Sequence, residues 1–209
     1  MTTVILVRHG QTAWNEVERF RGRADVPLNE AGMAQVRATG EHVAARWSVS
    51  AVYSSPLQRA VTTAEAIALS FGLPVQAHPG LTDIDYGEWQ GLTAEEATAR
   101  WPEAMRAWLN APHQARIPGG ETLDALRVRA MAALNELTDR HPEQVVVLVS
   151  HTVVNRIILL GILGLGNERF WRLCQDTCAI NVFDLDAERG EFTMLSLNDT
   201  CHLHHLGGI

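Results

Sequence analysis

Residues 3–10 read Thr-Val-Ile-Leu-Val-Arg-His-Gly, a run of strand formers that stops abruptly at an arginine, a histidine and a glycine. A strand with consecutive apolar residues is buried on both faces, as is typical of a mostly parallel sheet covered by helices. In open α/β sheets the ligand lies off the carboxyl ends of the strands. Arg8 and His9 are therefore expected to project into that crevice, with Gly10 letting the backbone turn or approach a ligand. The same tripeptide could equally just end a strand, so the rest of the chain has to decide between the two.

The remaining pattern alternates helix and strand. After a polar, arginine-rich loop to Pro27, Asn29 is a natural N-cap for a helix over residues 30–47, with Met33, Val36, Gly40, Val43 and Trp47 on one face. Residues 51–53 form a second short strand. Ser55 as cap and Pro56 at the first helical position then start a helix to about residue 70, with Arg59 in its first turn. An acidic, glycine-punctuated loop (81–91) precedes a helical stretch at 93–110 and a loop at 112–121. An amphipathic helix over 122–140 turns Leu123, Leu126, Ala130, Leu134 and Leu137 inward. Residues 145–149 form a third buried strand, ending in Ser150-His151-Thr152, and a helix follows through Leu163. Strands at 179–185 and 192–197 close the sheet before a histidine-rich tail. The expected fold is α/β: a three-layer α-β-α sandwich around a mostly parallel sheet, one domain over 1–209, with 85–120 as a cap-like insertion over the active site.

Composition removes several classes of function. A net charge of -7 argues against nucleic acid or an anionic membrane as partner. Residues 1–60 carry seven arginines against five acids, so positive charge gathers around the His9 turn while the remainder stands at -9. All 17 basic residues are arginine, which excludes a Walker A loop and a lysine Schiff base. Three cysteines (Cys174, Cys178, Cys201) make no disulfide framework, and with no leader-like start the expected location is cytoplasmic. The longest apolar run, residues 153–165, is interrupted by Asn155 and Arg156 and is too short to span a bilayer.

Two buried strands far apart in sequence end alike, in Arg8-His9 and Ser150-His151. If both are central and parallel, the histidines meet in one crevice, and Arg59 at a helix start adds a cation for an anionic ligand. The acidic loop at Asp83 and Asp85 can supply a proton donor. That set suits phosphoryl transfer: arginines hold the charged oxygens, one imidazole attacks, and a carboxylic acid protonates the leaving alkoxide.

These segments resemble the histidine phosphatase superfamily. The matching stretches are Leu-Val-Arg-His-Gly-Gln-Thr-x-Trp-Asn (6–15), Asp-x-Pro-Leu (25–28), Ser-Ser-Pro-Leu-x-Arg (54–59), the loop 83–91, Gly-Gly-Glu (119–121) and Ser-His-Thr (150–152). They are collinear and cover nearly the whole chain. The resemblance implies that His9 is the nucleophile that becomes phosphohistidine, and that Arg8, Arg59 and His151 form the phosphate pocket. It adds Asn15 as a further phosphate contact, the backbone N–H of Thr152, and Asp83 as proton donor, with Asp85 a rival for that place. His9 must attack as a neutral imidazole, so the carbonyl of Gly10 or a neighbour should hold its other N–H. Arginines and imidazolium would supply the positive field, so neither a metal nor any other cofactor is expected.

Three departures bear on the substrate. Many relatives have Glu where this chain has Asp83. Arg21 fills a loop position where the family often has Gln; it either favours a more anionic substrate or faces solvent. The mutases of the family carry a longer basic insertion after the acidic loop, and the shorter, lysine-free one here favours water as final acceptor. The motifs at 108–113, 119–123 and 197–203 are most similar to the metal-independent phosphoserine phosphatases. In those, a histidine that helps select phosphoserine stands where this chain has Tyr86. The resemblance thus implies a phosphomonoesterase acting on a small phosphorylated metabolite, with phosphoserine a plausible one, and relatives suggest a homodimer. A phosphoglycerate mutase-type phosphotransferase and a catalytically retired phospho-ligand-binding protein are the alternatives. Cys201, His202, His204 and His205 are read as a solvated terminus or subunit contact rather than a metal site, Cys174 and Cys178 as core thiols, and Trp89, Trp101 and Trp108 as packing for the insertion.

Overall fold

A computed structural model describes residues 1–206. Its centre is a six-stranded sheet in the order β3-β2-β4-β1-β5-β6, built from β1 (Thr2–Arg8), β2 (Ala51–Ser54), β3 (Val75–Ala77), β4 (Val145–Ser150), β5 (Ile180–Asp186) and β6 (Glu191–Asp199). The first four in that order run parallel, and β5 and β6 add an antiparallel edge. β1 is flanked on both sides, which is why its apolar run does not alternate: Val4, Ile5, Leu6 and Val7 are all fully buried.

The pleat sends successive side chains to opposite layers. Val4 and Leu6 join Val146 and Leu148 against α6 (Leu123–Asp139) and α7 (Thr152–Ile162), through Leu126, Ala130, Leu134, Ile157 and Ile158. Ile5, Val7, Val147 and Val149 meet α2 (Glu30–Arg46) and α3 (Gln58–Leu69), through Val43, Ala60, Ala64 and Ile67. This is the expected three-layer sandwich. α2 and α3 approach closely at Gly40, where a Cβ would lie 2.4 Å from the carbonyl oxygen of Ala66. A single-turn helix, α1 (Ala13–Glu16), follows β1; Asn29 caps α2 by accepting from the N–H of Gly32, and Thr122 caps α6 by accepting from that of Ala125.

The insertion breaks into α4 (Ala94–Arg100) and α5 (Pro102–Asn110), not the single helix expected over 93–110, because Pro102 has no N–H for a helix interior and opens a new one. Trp89, Met105 and Trp108 from this segment join the same buried cluster as Val4 and Leu6.

Other expectations need correction. α3 starts two residues later than expected, with Leu57 at its N-cap position; Ser55 Oγ still accepts from the Leu57 N–H at 3.3 Å, and the same hydroxyl also meets His151. Met33 is exposed although its helix face was read as inward, and Cys174 is exposed while Cys178 is buried. The short strand β3 was not anticipated. The tail is only partly solvated: Cys201–Leu206 forms a 3-10 turn on α2 in which Cys201, His204, His205 and Leu206 are exposed, while His202 is buried and Leu203 is fully buried beside Val36 and Ala38. Among the described residues no helix is long and apolar enough to cross a membrane.

Candidate active site

The parallel ladder of β1 and β4 pairs Arg8 with Ser150, so the next residue on each strand, His9 and His151, leaves the sheet at the same level. The N–H of His9 donates to the Ser150 carbonyl at 3.0 Å, and His151 is the N-cap of α7. Their rings lie 5.1 Å apart at 57°, both buried.

Each ring is oriented by one contact. His9 Nδ1 is 2.6 Å from the carbonyl oxygen of Gly10, which can only accept, so Nδ1 carries the proton and Nε2 keeps its lone pair. His151 Nε2 is 2.7 Å from the hydroxyl of Ser55, and its Nδ1 is 3.7 Å from Asp83 Oδ2. Arg59, in the first turn of α3 and fully buried, donates to the carbonyls of Gly22 and Ala24 at 2.7 Å each and to Asp83 Oδ2 at 3.2 Å. Asp83 thus touches both a histidine and an arginine of the cluster. Asp85 points away: it pairs with half-exposed Arg23 at 3.2 Å and accepts from the N–H of Gly87. Gly87 has a φ of +45°, and a Cβ there would lie 2.3 Å from the Pro118 carbonyl, so the acidic loop is held tightly against residues 118–120.

Burial sets the protonation states. The imidazoles of His9 and His151 are pushed well below the usual histidine range, first by loss of water and then by the Arg59 guanidinium. Both are neutral near pH 7. The Asp83 carboxyl is pushed up by burial, against the opposing pull of Arg59 and Arg21. Arg8 is drawn down to about 9 by burial and by neighbouring Arg21. A neutral imidazole and a carboxyl whose proton affinity burial raises therefore stand together among cations.

The remaining sequence candidates border a cavity of about 460 Å³ whose lining includes Arg8, Asn15, Arg21, Asp83, Tyr86 and Thr152. Asn15 Oδ1 accepts from the N–H and hydroxyl of Thr12, which leaves its NH₂ for a ligand. Thr152 opens α7, where backbone N–H groups have no intrahelical acceptor. Arg21 lines the cavity and its Nε is buried without a partner, as are those of Arg8 and Arg59.

Sequence reasoning missed three contributors. Ser55, read as a helix cap, orients His151. Gln175 accepts from Arg8 through its carbonyl at 2.5 Å and ties into Asn155 and Asn181 through its amide. Arg156 sits in the same helix as Thr152, its guanidinium 5.0 Å over both the Phe170 and Trp171 rings at the cavity wall, with Nε donating to the Leu173 carbonyl. The helical spacing of Arg156 after the Ser-His-Thr motif was the available signal, since residues four apart share a helix face.

Comparison with known proteins decides the family: residues 4–200 match the model of the histidine phosphatase superfamily (branch 1). The chain belongs to that family. It is 36% identical over 203 residues to phosphoserine phosphatase 1 of Hydrogenobacter thermophilus, covering 97% of this chain and 95% of that protein. Among solved structures, Bacillus stearothermophilus YhfR aligns with a TM-score of 0.91 at 28% identity, covering 97% of this chain and 100% of the other. A phosphoserine phosphatase mutant from Entamoeba histolytica in complex with phosphoserine aligns with a TM-score of 0.87 at 26% identity, again over 97% and 100%. The hydrolase class and the fold read from the motifs stand with this membership.

Proposed function

We propose that this phosphatase hydrolyses a small phosphomonoester through a phosphohistidine on Nε2 of His9, with Asp83 as acid and then as base. The observation that carries it is the pairing of a neutral imidazole, its Nε2 lone pair free, with a carboxyl whose pKa burial raises. Arg8 and Arg21 on the cavity wall, with the amide of Asn15 and the N–H of Thr152, would hold the phosphoryl oxygens, and Arg59, buried behind them with its Nε unpartnered, would add positive charge. Nε2 of His9 attacks phosphorus, the P–O bond to the alcohol breaks, and Asp83 gives its proton to the departing oxygen. Water then attacks the phosphohistidine while the Asp83 carboxylate takes its proton; phosphate leaves and His9 returns to its neutral form. His151, neutral and held by Ser55, is placed to donate or share a proton with the phosphoryl group as charge builds there.

The substrate we propose is phosphoserine. Arg156 supports it: the guanidinium spends Nε on a carbonyl, pairs with no carboxylate among the described residues, and stacks on aromatic rings at the cavity wall. A carboxylate on the substrate would complete it, and Glu18 and Asp176 on the same cavity offer partners for an ammonium group. The relatives named above support the same choice.

The test is to quench turnover at alkaline pH, since phosphohistidine is acid-labile, and locate the phosphate by mass spectrometry. Label on His9, absent in His9→Ala, is the expected result. Continued hydrolysis by His9→Ala, or a phosphoryl group elsewhere, refutes the proposal.

A further inference from the structure

Away from the cavity, His42, Asp199 and Cys201 bring one donor atom each to within 4.8 Å of one another. They come from two places in the chain: His42 from α2, and Asp199 and Cys201 from the junction of edge strand β6 with the 3-10 turn that docks on α2. None lines the active-site cavity. The tail histidines read in the sequence had no distant partner; the fold supplies one in His42.

We propose that His42, Asp199 and Cys201 bind a divalent cation of the zinc type. Nitrogen, oxygen and sulfur together select a borderline-soft ion, not magnesium or calcium, which take oxygen. Zinc–ligand bonds of about 2.0–2.3 Å put tetrahedral ligand atoms roughly 3.3–3.8 Å apart, so the cluster needs to close by about 1 Å. An exposed turn and a strand end can make that movement. On binding, the Cys201 thiol gives its proton to solvent, and the thiolate with the Asp199 carboxylate neutralises the charge of the ion; water completes the coordination.

Two neighbours shape the site. His202, buried, lies with its ring 4.8 Å from that of His42. The Thr39 hydroxyl gives its proton to the Gln35 carbonyl, so His202 Nε2 must donate to Thr39, at 3.0 Å. That leaves Nδ1 of His202 a bare lone pair, buried and without a partner, the kind of orphan acceptor that a nearby cation and its water relieve. Arg46 works against the metal. Its Nη1 donates to Nδ1 of His42 at 2.7 Å and uses the single lone pair of that neutral imidazole. Arg46 is exposed and can swing aside, so metal and arginine compete for one lone pair.

The competition gives the proposal a test with two signs. Full-length protein, kept reduced, is titrated with Zn²⁺ by calorimetry and with Co²⁺ by absorption. The expected result is one ion per chain and a near-ultraviolet sulfur-to-cobalt band that Cys201→Ser abolishes and Cys174→Ser leaves intact. His42→Gln and Asp199→Asn should each weaken Zn²⁺ binding at least tenfold, while Arg46→Met should tighten it. Zinc held at the active-site imidazoles, or by His204 and His205, would survive Cys201→Ser with unchanged affinity and overturn the assignment; so would an absence of binding, or a loss of affinity in Arg46→Met.

Discussion

Replacing Asp83 by asparagine removes a transferable proton while keeping the shape of the side chain; Oδ2 accepts from Arg59 at 3.2 Å and Oδ1 from the Ile84 N–H at 2.9 Å, and the one amide oxygen can keep only one of these contacts. Phosphoserine expels an alkoxide, which leaves poorly unless protonated. General acid catalysis contributes about 10²–10⁴, so kcat for phosphoserine should fall about 10³-fold, or about 4 kcal/mol. A nitrophenyl phosphate expels a phenoxide that needs no proton, so transfer to His9 survives. The water step, in which the proposed mechanism makes Asp83 the base, should slow for both substrates. Asp83→Asn should therefore release a burst of nitrophenol, about one per enzyme, and then stall with phosphohistidine accumulated. Rapid mixing with an alkaline quench reads both signals. Removing one partner of a buried ion pair costs about 3–5 kcal/mol of stability. Arg59 still donates to Gly22 and Ala24 at 2.7 Å, so the loss should sit at the low end, and a melting curve run beside the kinetics checks it. Equal losses on both substrates with no burst would refute the acid–base role, as would the same pattern from Asp85→Asn, since that side chain pairs with Arg23 outside the cluster.

Arg156→Met should raise KM for phosphoserine about tenfold or more, the loss of a charged hydrogen bond, and leave phosphoethanolamine, which lacks the carboxylate, unchanged; equal effects on the two would remove the substrate argument. Ser55→Ala leaves a buried nitrogen of His151 unpaired and should cost about 1–3 kcal/mol in chemical denaturation, with a fall in kcat at unchanged KM. Stability should also follow pH. The folded pKa of His9 is depressed, so below its unfolded value near 6.5 the unfolded chain takes up a proton that the folded one refuses. The contribution of His9 is complete above that pH and shrinks as pH falls, by about 1.4 kcal/mol per unit. Denaturation of wild type and His9→Gln between pH 7 and 5 should show the variant with the shallower slope, a comparison in which the opposing titration of Asp83 is common to both; parallel slopes would mean that His9 titrates normally.

What the sequence made legible was whatever a local signal carries. The unalternating run in β1 and its echo in β4 placed both strands at the sheet centre, and their shared endings brought the histidines together. Asn29 and Thr122 announced their helices because capping is satisfied within four residues. Apart from the break at Pro102, which proline itself signals, the misses arise where tertiary demands override or outrun local chemistry. Ser55 before Pro56 has the makings of a cap and accepts from the Leu57 N–H, but nothing local shows that His151, 96 residues on, shares its hydroxyl. β3 is three residues held at the sheet edge by β2, too short to show a pattern. Asp83 and Asp85 are chemically alike in sequence; burial beside Arg59 separates one from the other.

The position of β1 also dictates when the enzyme can come into being. Residues 2–8 pair only with β4 and β5, whose last residue is Asp186. A chain leaving the ribosome N-terminus first must keep this buried apolar strand, with His9 at its end, unpaired until most of its length has been made. Closing so long a loop is slow, and an exposed strand edge invites association with other chains. No shortened or half-made product can be half active, because the two imidazoles become neighbours only when the first strand is finally threaded between two of the last.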